Sequence, residues 1–259
     1  MWRIAVKVAL PPSHQPVVNA TFQPISVARL YRLIANQIKA KVETGAYAPG
    51  ARLPSERELA EALNVSRPSV REALIALEIE GYVEVRVGTG VFVTGPAAAA
   101  DAAGGPARTL AANAGQLDVG AHDVLEVRLL VEPRCAALAA KNATPGQLQL
   151  MADAAAAMES SSSPAPHDDA FHIGIAEASG NVALATTVQN LLHLSGNSQI
   201  VNKLNQHYAV DEAWQTARAE HLAVLRAIQK RNPAAASRAM QAHLNGVRRR
   251  LGLDSGSEG

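Results

Sequence analysis

From Leu30 onward an apolar residue recurs at every fourth position, at Leu30, Ile34, Ile38 and Val42, until Gly45 breaks the pattern. That spacing predicts an amphipathic helix with Ser26 as its N-cap and an ordinary glycine stop. Pro49-Gly50 marks a turn, and Leu53-Pro54-Ser55-Glu56-Arg57-Glu58 opens a second helix. Ser55 and Glu58 have capping-box spacing, each able to satisfy the other's backbone amide. Leu59, Ala62 and Leu63 are the expected inner face, and Asn64 suits the left-handed turn that ends the helix. Ser66 caps a third helix that tolerates Pro68 in its first turn and carries Val70, Ala73, Leu74 and Leu77 as its apolar stripe. After Gly81 the period changes to two. Tyr82 to Arg86 alternates like a strand, Val87-Gly88-Thr89-Gly90 turns, and Val91 to Val93 returns as the second arm of a hairpin.

The segment from Gly95 to Pro106 is rich in Gly, Pro and Ala and reads as a linker. Beyond it, helical periods follow one another: His122 to Lys141, Thr144-Pro145 to about Glu159, Asp168 to Ser179, Asn181 to about Ser195, Asp211 to Arg231, and Pro233 to about Leu251. The patch from Glu159 to Pro166 reads as a loop within this region. The expected architecture is mostly α. An N-terminal winged helix-turn-helix with a small β-hairpin wing (24–95) is joined by a linker (96–120) to a C-terminal antiparallel all-α bundle (121–252). A flexible extension (1–23) and a short tail (253–259) flank them.

Composition narrows the function. At 259 residues, 48% hydrophobic and 18% charged, the chain can bury substantial cores. Aromatics at 3% argue against stacking platforms for single strands or sugars. Lys+Arg number 24 against 23 Asp+Glu, a net charge of +1 that excludes a polyanion coat but allows a local basic face. One cysteine excludes a disulfide framework. No apolar run approaches the roughly 20 residues of a membrane span, and the N-terminus makes a poor signal peptide, so a cytoplasmic protein is expected.

Two short helices with an Arg-bearing second member, followed by a glycine-tipped hairpin, fit a DNA reader. A helix N-terminus brings amides and cationic side chains to phosphates and base edges in the major groove. The run Leu53-Pro-Ser-Glu-Arg-Glu-Leu-Ala60, with Asn64-Val-Ser-Arg-Pro-Ser-Val-Arg-Glu-Ala-Leu74 and Leu77-Glu-Ile-Glu-Gly-Tyr82, resembles the winged-helix domain of GntR-family bacterial transcription regulators over roughly residues 24–94. The resemblance implies DNA contacts at Arg57, Ser66, Arg67 and Arg71 and a wing glycine at Gly88. Pro68 lacks a side-chain donor and inherits no base contact. The stretch from Val70 to Arg86 is similar in particular to regulators of hexuronate use.

Among the eight histidines, three stand apart. His172 follows Asp168 by one turn, His221 lies in line with Trp214, Ala217, Leu225 and Ile228, and His243 in line with Ala236, Met240 and Val247. Either each is a core histidine with its own partner, or the three converge with the carboxylate on a divalent cation suited to N/O ligation. Spacing alone leaves both readings open. Asp168-Asp-Ala-Phe-His172 with Ala178-Ser-Gly-Asn181, Glu220-His221, Ala242-His243-Leu244, and Glu126-Val-Arg128 with Glu132-Pro133 resemble the ligand-sensing (FCD) domain of the FadR subgroup over about residues 121–252. That resemblance implies a divalent metal, such as Zn2+, Ni2+ or Mn2+, held by Asp168, His172, His221 and His243; the spacing Asp-x-x-x-His selects Asp168, with the adjacent Asp169 carboxylate as the alternative. It also implies a small carboxylate or sugar-acid effector.

Arg128 is the candidate partner of such a carboxylate, the alternative being an ion pair with Glu132 one turn on. The expected protein is a homodimeric repressor that binds an inverted-repeat operator in double-stranded DNA, without membrane association. A metal-dependent hydrolase lacks a general base or nucleophile motif near these ligands, and Cys135 has no His at helical spacing. A DNA-binding protein with a purely structural metal is the other alternative.

Overall fold

The computed structural model describes residues 30–94, 119–208 and 211–253. The N-terminal extension, the Ser26 cap, most of the 96–120 linker and the tail beyond 253 lie outside the described residues. The first unit contains α1 (Leu30–Glu43), α2 (Glu56–Leu63), α3 (Arg67–Ile79), β1 (Val83–Arg86) and β2 (Gly90–Val93). Helix α1 buries Tyr31, Ile34, Ala35, Ile38 and Val42. Leu30, expected on that stripe, is 48% exposed; Tyr31 takes its place because residues three apart also share a helix face.

In α2 the capping box forms: Ser55 Oγ accepts from the Glu58 amide at 3.3 Å, and Glu58 Oε2 accepts from the Ser55 amide at 2.8 Å. The buried residues are Leu59 and Ala60. Ala62, expected inside, is exposed, since the helix presents its 59–60–63 side to α3. Asn64 adopts φ 52°, and Ser66 caps α3 through the Ser69 amide. Helix α3 is buried on more than its expected stripe, because Pro68, Glu72, Ile75 and Ala76 are also enclosed. The wing pairs antiparallel, Val83 opposite Val93 and Arg86 opposite Gly90.

The second unit is helical throughout its described residues: α4 (Ala121–Asn142), α5 (Pro145–Ser160), α6 (Ala165–Ala178), α7 (Val182–Asn197), α8 (Gln199–Tyr208), α9 (Asp211–Gln229) and α10 (Pro233–Arg250). Thr144, Asn181 and Asn232 cap α5, α7 and α10 as their sequences suggest. The loop read between Glu159 and Pro166 shrinks to a few residues, as α6 starts at Ala165 with Pro166 in its first turn, where a missing amide costs nothing. Helix α8 is an addition. Its Ile200, Val201 and Leu204 are buried, and it packs on α7 and on α3. Helices α4, α9 and α10 pack together, and α6 packs on α4. Among the described residues, no helix is long and apolar enough to cross a membrane.

The two units meet on α3. Glu72, buried, accepts the His122 amide at 2.9 Å, placing a carboxylate at the positive N-terminus of α4. Glu78 pairs with His207 of α8 at 2.7 Å.

Candidate metal centre and DNA-facing surface

Three helices converge on one point. Asp168 and His172 project from successive turns of α6, His221 from the middle of α9, and His243 from α10. One ligand atom from each lies within 4.8 Å of all the others. His221 Nε2 is 3.3 Å from His172 Nε2, 3.1 Å from His243 Nε2 and 3.2 Å from Asp168 Oδ1. The three imidazoles are buried, while Asp168 is partly open. Phe171 packs beside His221 with ring centroids 4.8 Å apart.

Two carboxylates aim these rings. Glu132 Oε2 meets His172 Nδ1, and Glu220 Oε2 meets His243 Nδ1 at 2.9 Å. A carboxylate acceptor fixes the proton on Nδ1, which leaves both Nε2 lone pairs facing the common point. Burial alone would raise Glu132, but Arg128 and His172 outweigh it and hold the carboxyl well below its usual range. Glu220 is likewise held at about 2: burial works upward, and hydrogen bonds from His243 and Arg250 prevail. Burial pushes the His221 imidazole well below its usual range, and its two histidine neighbours add to this. His243 is lowered by burial and partly restored by Glu220. The donor set therefore fits a divalent cation: neutral nitrogens, one carboxylate oxygen, and a layer of carboxylates behind them.

Beside the donors lies a cavity of about 190 Å³, lined in part by Arg128, Asp168, Trp214, His243 and Arg250. The ion pair weighed for Arg128 does form, with Nε on Glu132. One of its terminal nitrogens, Nη2, is nevertheless buried without a hydrogen-bond partner among the described residues. Asp169 also lines the cavity, but its carboxyl is raised by burial and by the Asp168 charge, and the converging quartet uses Asp168. Cys135 is buried with its thiol pushed up to about 11, the behaviour of a core residue.

Glu220 was legible only as the neighbour of His221 in its motif, and Arg250 was not read as a site residue at all. Arg250 grips both Glu220 oxygens, at 2.8 and 2.9 Å, across a distance of 30 positions that no spacing rule covers.

On the winged helix, Arg57 is 72% exposed and only loosely paired with Glu61 at 3.5 Å. Ser66 and Arg67 stand exposed at the start of α3, and Gly88 tips the wing at φ +75°. Arg71 departs from this face: its guanidinium is bonded to Glu56 and to the Leu251 carbonyl.

An exposed Arg-bearing helix and wing beside a helical domain with a buried donor cluster is the arrangement of a DNA-binding transcription regulator. Residues 30–93 match the family described as bacterial regulatory proteins, gntR family, and residues 123–246 match the FCD domain. The chain belongs to the GntR family and carries an FCD domain; it is a DNA-binding transcriptional regulator.

It is 35% identical over 227 residues to the Exu regulon transcriptional regulator of Escherichia coli (strain K12), covering 85% of this chain and 83% of that protein. It is 33% identical over 232 residues to the Uxu operon transcriptional regulator of the same strain, covering 87% and 88%. The HTH-type transcriptional repressor NanR of Klebsiella aerogenes is 32% identical over 230 residues, covering 87% and 86%. A solved structure of Streptococcus agalactiae GntR aligns at 28% identity over 85% of this chain and 99% of that one, with a TM-score of 0.43.

Proposed function

We propose that the protein is a homodimeric repressor of sugar-acid or other small-carboxylate catabolism that leaves an inverted-repeat operator when a small organic acid binds beside a divalent metal. One observation carries this reading: a buried guanidinium nitrogen without a hydrogen-bond partner among the described residues, Arg128 Nη2, belongs to a residue lining the cavity that also receives Asp168 and His243. Asp168, His172, His221 and His243 would hold the cation. When bound, the metal supplies a positive centre for an anionic oxygen. Arg128 supplies the directional half of recognition, since a guanidinium fork can take a carboxylate that a point charge would hold less specifically. Trp214 supplies an apolar wall. Operator contact falls to Arg57, Ser66, Arg67 and the wing at Gly88, with Arg71 joining when released. The relatives named for the Exu regulon and Uxu operon support the sugar-acid class, as does the similarity of residues 70–86 to regulators of hexuronate use.

The test is thermal stability with Zn2+, with D-glucuronate as the hexuronate probe, and with a chelator. Further stabilisation by the acid only when metal is present supports the sensor. Stabilisation by metal alone across a panel of sugar acids and small carboxylates would assign the cation a purely structural role.

A further inference from the structure

Arg67 and Arg71 lie one turn apart on α3, yet only Arg67 faces solvent freely; the Arg71 side chain is 13% exposed. Its Nε and Nη2 engage Glu56 of α2, and Nη1 donates to the Leu251 carbonyl at 2.9 Å. The guanidinium carbon sits 5.3 Å from the centroid of the Tyr208 ring. Leu251 closes α10, where the last carbonyls have no partner within the helix and the dipole favours a cation. Gly252 adopts φ +62°, and a Cβ at that position would fall 1.2 Å from Arg71 Nη1. The turn is anchored, because Leu251 and Leu253 are buried in the core. Arg71 thus occupies a fitted seat built by the far end of the chain.

We propose that Arg71 is a two-position switch, seated in the turn after α10 or placed on DNA, and that seating withholds it from the operator. The proposal rests on the reading of α3 as the DNA-facing helix. The same donors cannot serve both positions: a guanidinium bonded to Glu56 and Leu251 has its fork occupied. The seat is also one wall of the ligand cavity, since Tyr208, Arg250 and Leu251 line it. Arg250 further ties the turn to the donor cluster, through Glu220 and its 2.9 Å bond to His243. Coupling between cavity and DNA therefore needs no long route. Any occupant that binds better with Arg71 seated lowers DNA affinity by the same factor that DNA lowers its own.

The full-length protein first selects a duplex from randomised oligonucleotides, and affinities for that duplex are then compared at one salt concentration. Gly252→Ala puts a methyl group where the guanidinium sits; Tyr208→Leu removes the ring without altering the backbone. Both are expected to bind about tenfold more tightly than wild type, the gain that comes from removing a competing conformation. Arg71→Ala is expected to bind more weakly, and Arg71→Ala/Gly252→Ala to match Arg71→Ala alone, since the second change then has nothing to evict. Unchanged or weaker binding by both seat variants with wild-type helical content, or additive effects in the double variant, would overturn the switch. A wild-type protein that selects no duplex defeats the DNA reading itself, and the switch falls with it.

Discussion

His221 Nε2 and His243 Nε2 face each other across 3.1 Å at the centre of the helical domain. His243 keeps its proton on Nδ1 for Glu220, so its Nε2 is a bare acceptor. A single proton on His221 Nε2 can serve only one of its three neighbours, His172, His243 or Asp168. Meanwhile His221 Nδ1 is buried with no hydrogen-bond partner among the described residues. Acceptors outnumber protons, and a cation resolves the shortage where hydrogen bonding does not.

Removing His221 should therefore abolish metal stabilisation. Zn2+ at about a hundred times its dissociation constant is expected to stabilise the wild type by about 2.7 kcal/mol, read as a raised Tm that EDTA reverses. His221→Ala should show no such rise. A Zn2+ shift in His221→Ala equal to that of the wild type would mean that the cation binds elsewhere.

Glu220 acts on the metal through His243. Glu220→Gln removes the anion behind the imidazole and releases Arg250, and metal affinity is expected to fall about 10- to 100-fold in a chelator competition. Glu132→Gln should act alike through His172. Wild-type affinity in both variants would reduce these carboxylates to packing.

Much of this arrangement could be read from local pattern. Ser55, Ser66, Thr144, Asn181 and Asn232 announced their helices because capping is a contact between residues two or three apart. His221 and His243 could be placed inside because their neighbours at helical spacing are apolar. What escaped was decided by distant partners. Arg71 looked like an exposed base reader, but its seat is formed 180 residues later at Leu251. Helix α8 went unread because Gln, Asn and Lys dominate it, although Ile200, Val201 and Leu204 carried a helical signal. Leu30 was misplaced by one position, an error that a strict four-residue period makes wherever three-residue neighbours share the face; in α2 the buried alanine is Ala60, beside Leu59, and not Ala62 three residues on.

The junction between the two units should respond to pH through Glu72. Burial raises its carboxyl above the ordinary 4.5, Asp123 adds to this, and the His122 amide opposes it without prevailing. The folded protein thus retains a proton that the unfolded chain has released, so this contribution to stability is lost as pH rises from about 4.5 through the raised value. Glu72→Gln keeps an acceptor for His122 but does not titrate. Its Tm relative to wild type should climb between pH 4.5 and 7; a constant difference would show that Glu72 does not titrate in this window.

On the exposed face, Arg57→Ala and Arg67→Ala should each weaken binding to the selected duplex by about 1–3 kcal/mol if they reach bases. Arg57 gives up little to do so, because its pairing with Glu61 is long and solvated. A uniform loss across sequences with a salt slope smaller by about one would reassign either residue to the phosphates. Affinity and salt slope unchanged in both would remove them from the interface.

Arg128 offers the sharpest separation of metal from ligand. Its Nε is committed to Glu132, but Nη2 is buried without an acceptor among the described residues, a state that costs about 1–3 kcal/mol and that an incoming carboxylate oxygen would relieve. Arg128→Lys preserves the positive charge beside Glu132 and hence the setting of His172, while removing the planar fork. Zn2+ stabilisation should persist in this variant, whereas the additional stabilisation by D-glucuronate should weaken at least tenfold in apparent affinity, the equivalent of about 1.4 kcal/mol. Loss of both responses would show that Arg128 supports the metal cluster and does not read the ligand. An undiminished response to an acid that stabilises the wild type would place that acid's carboxylate elsewhere in the cavity, with Arg250 the next cation to test.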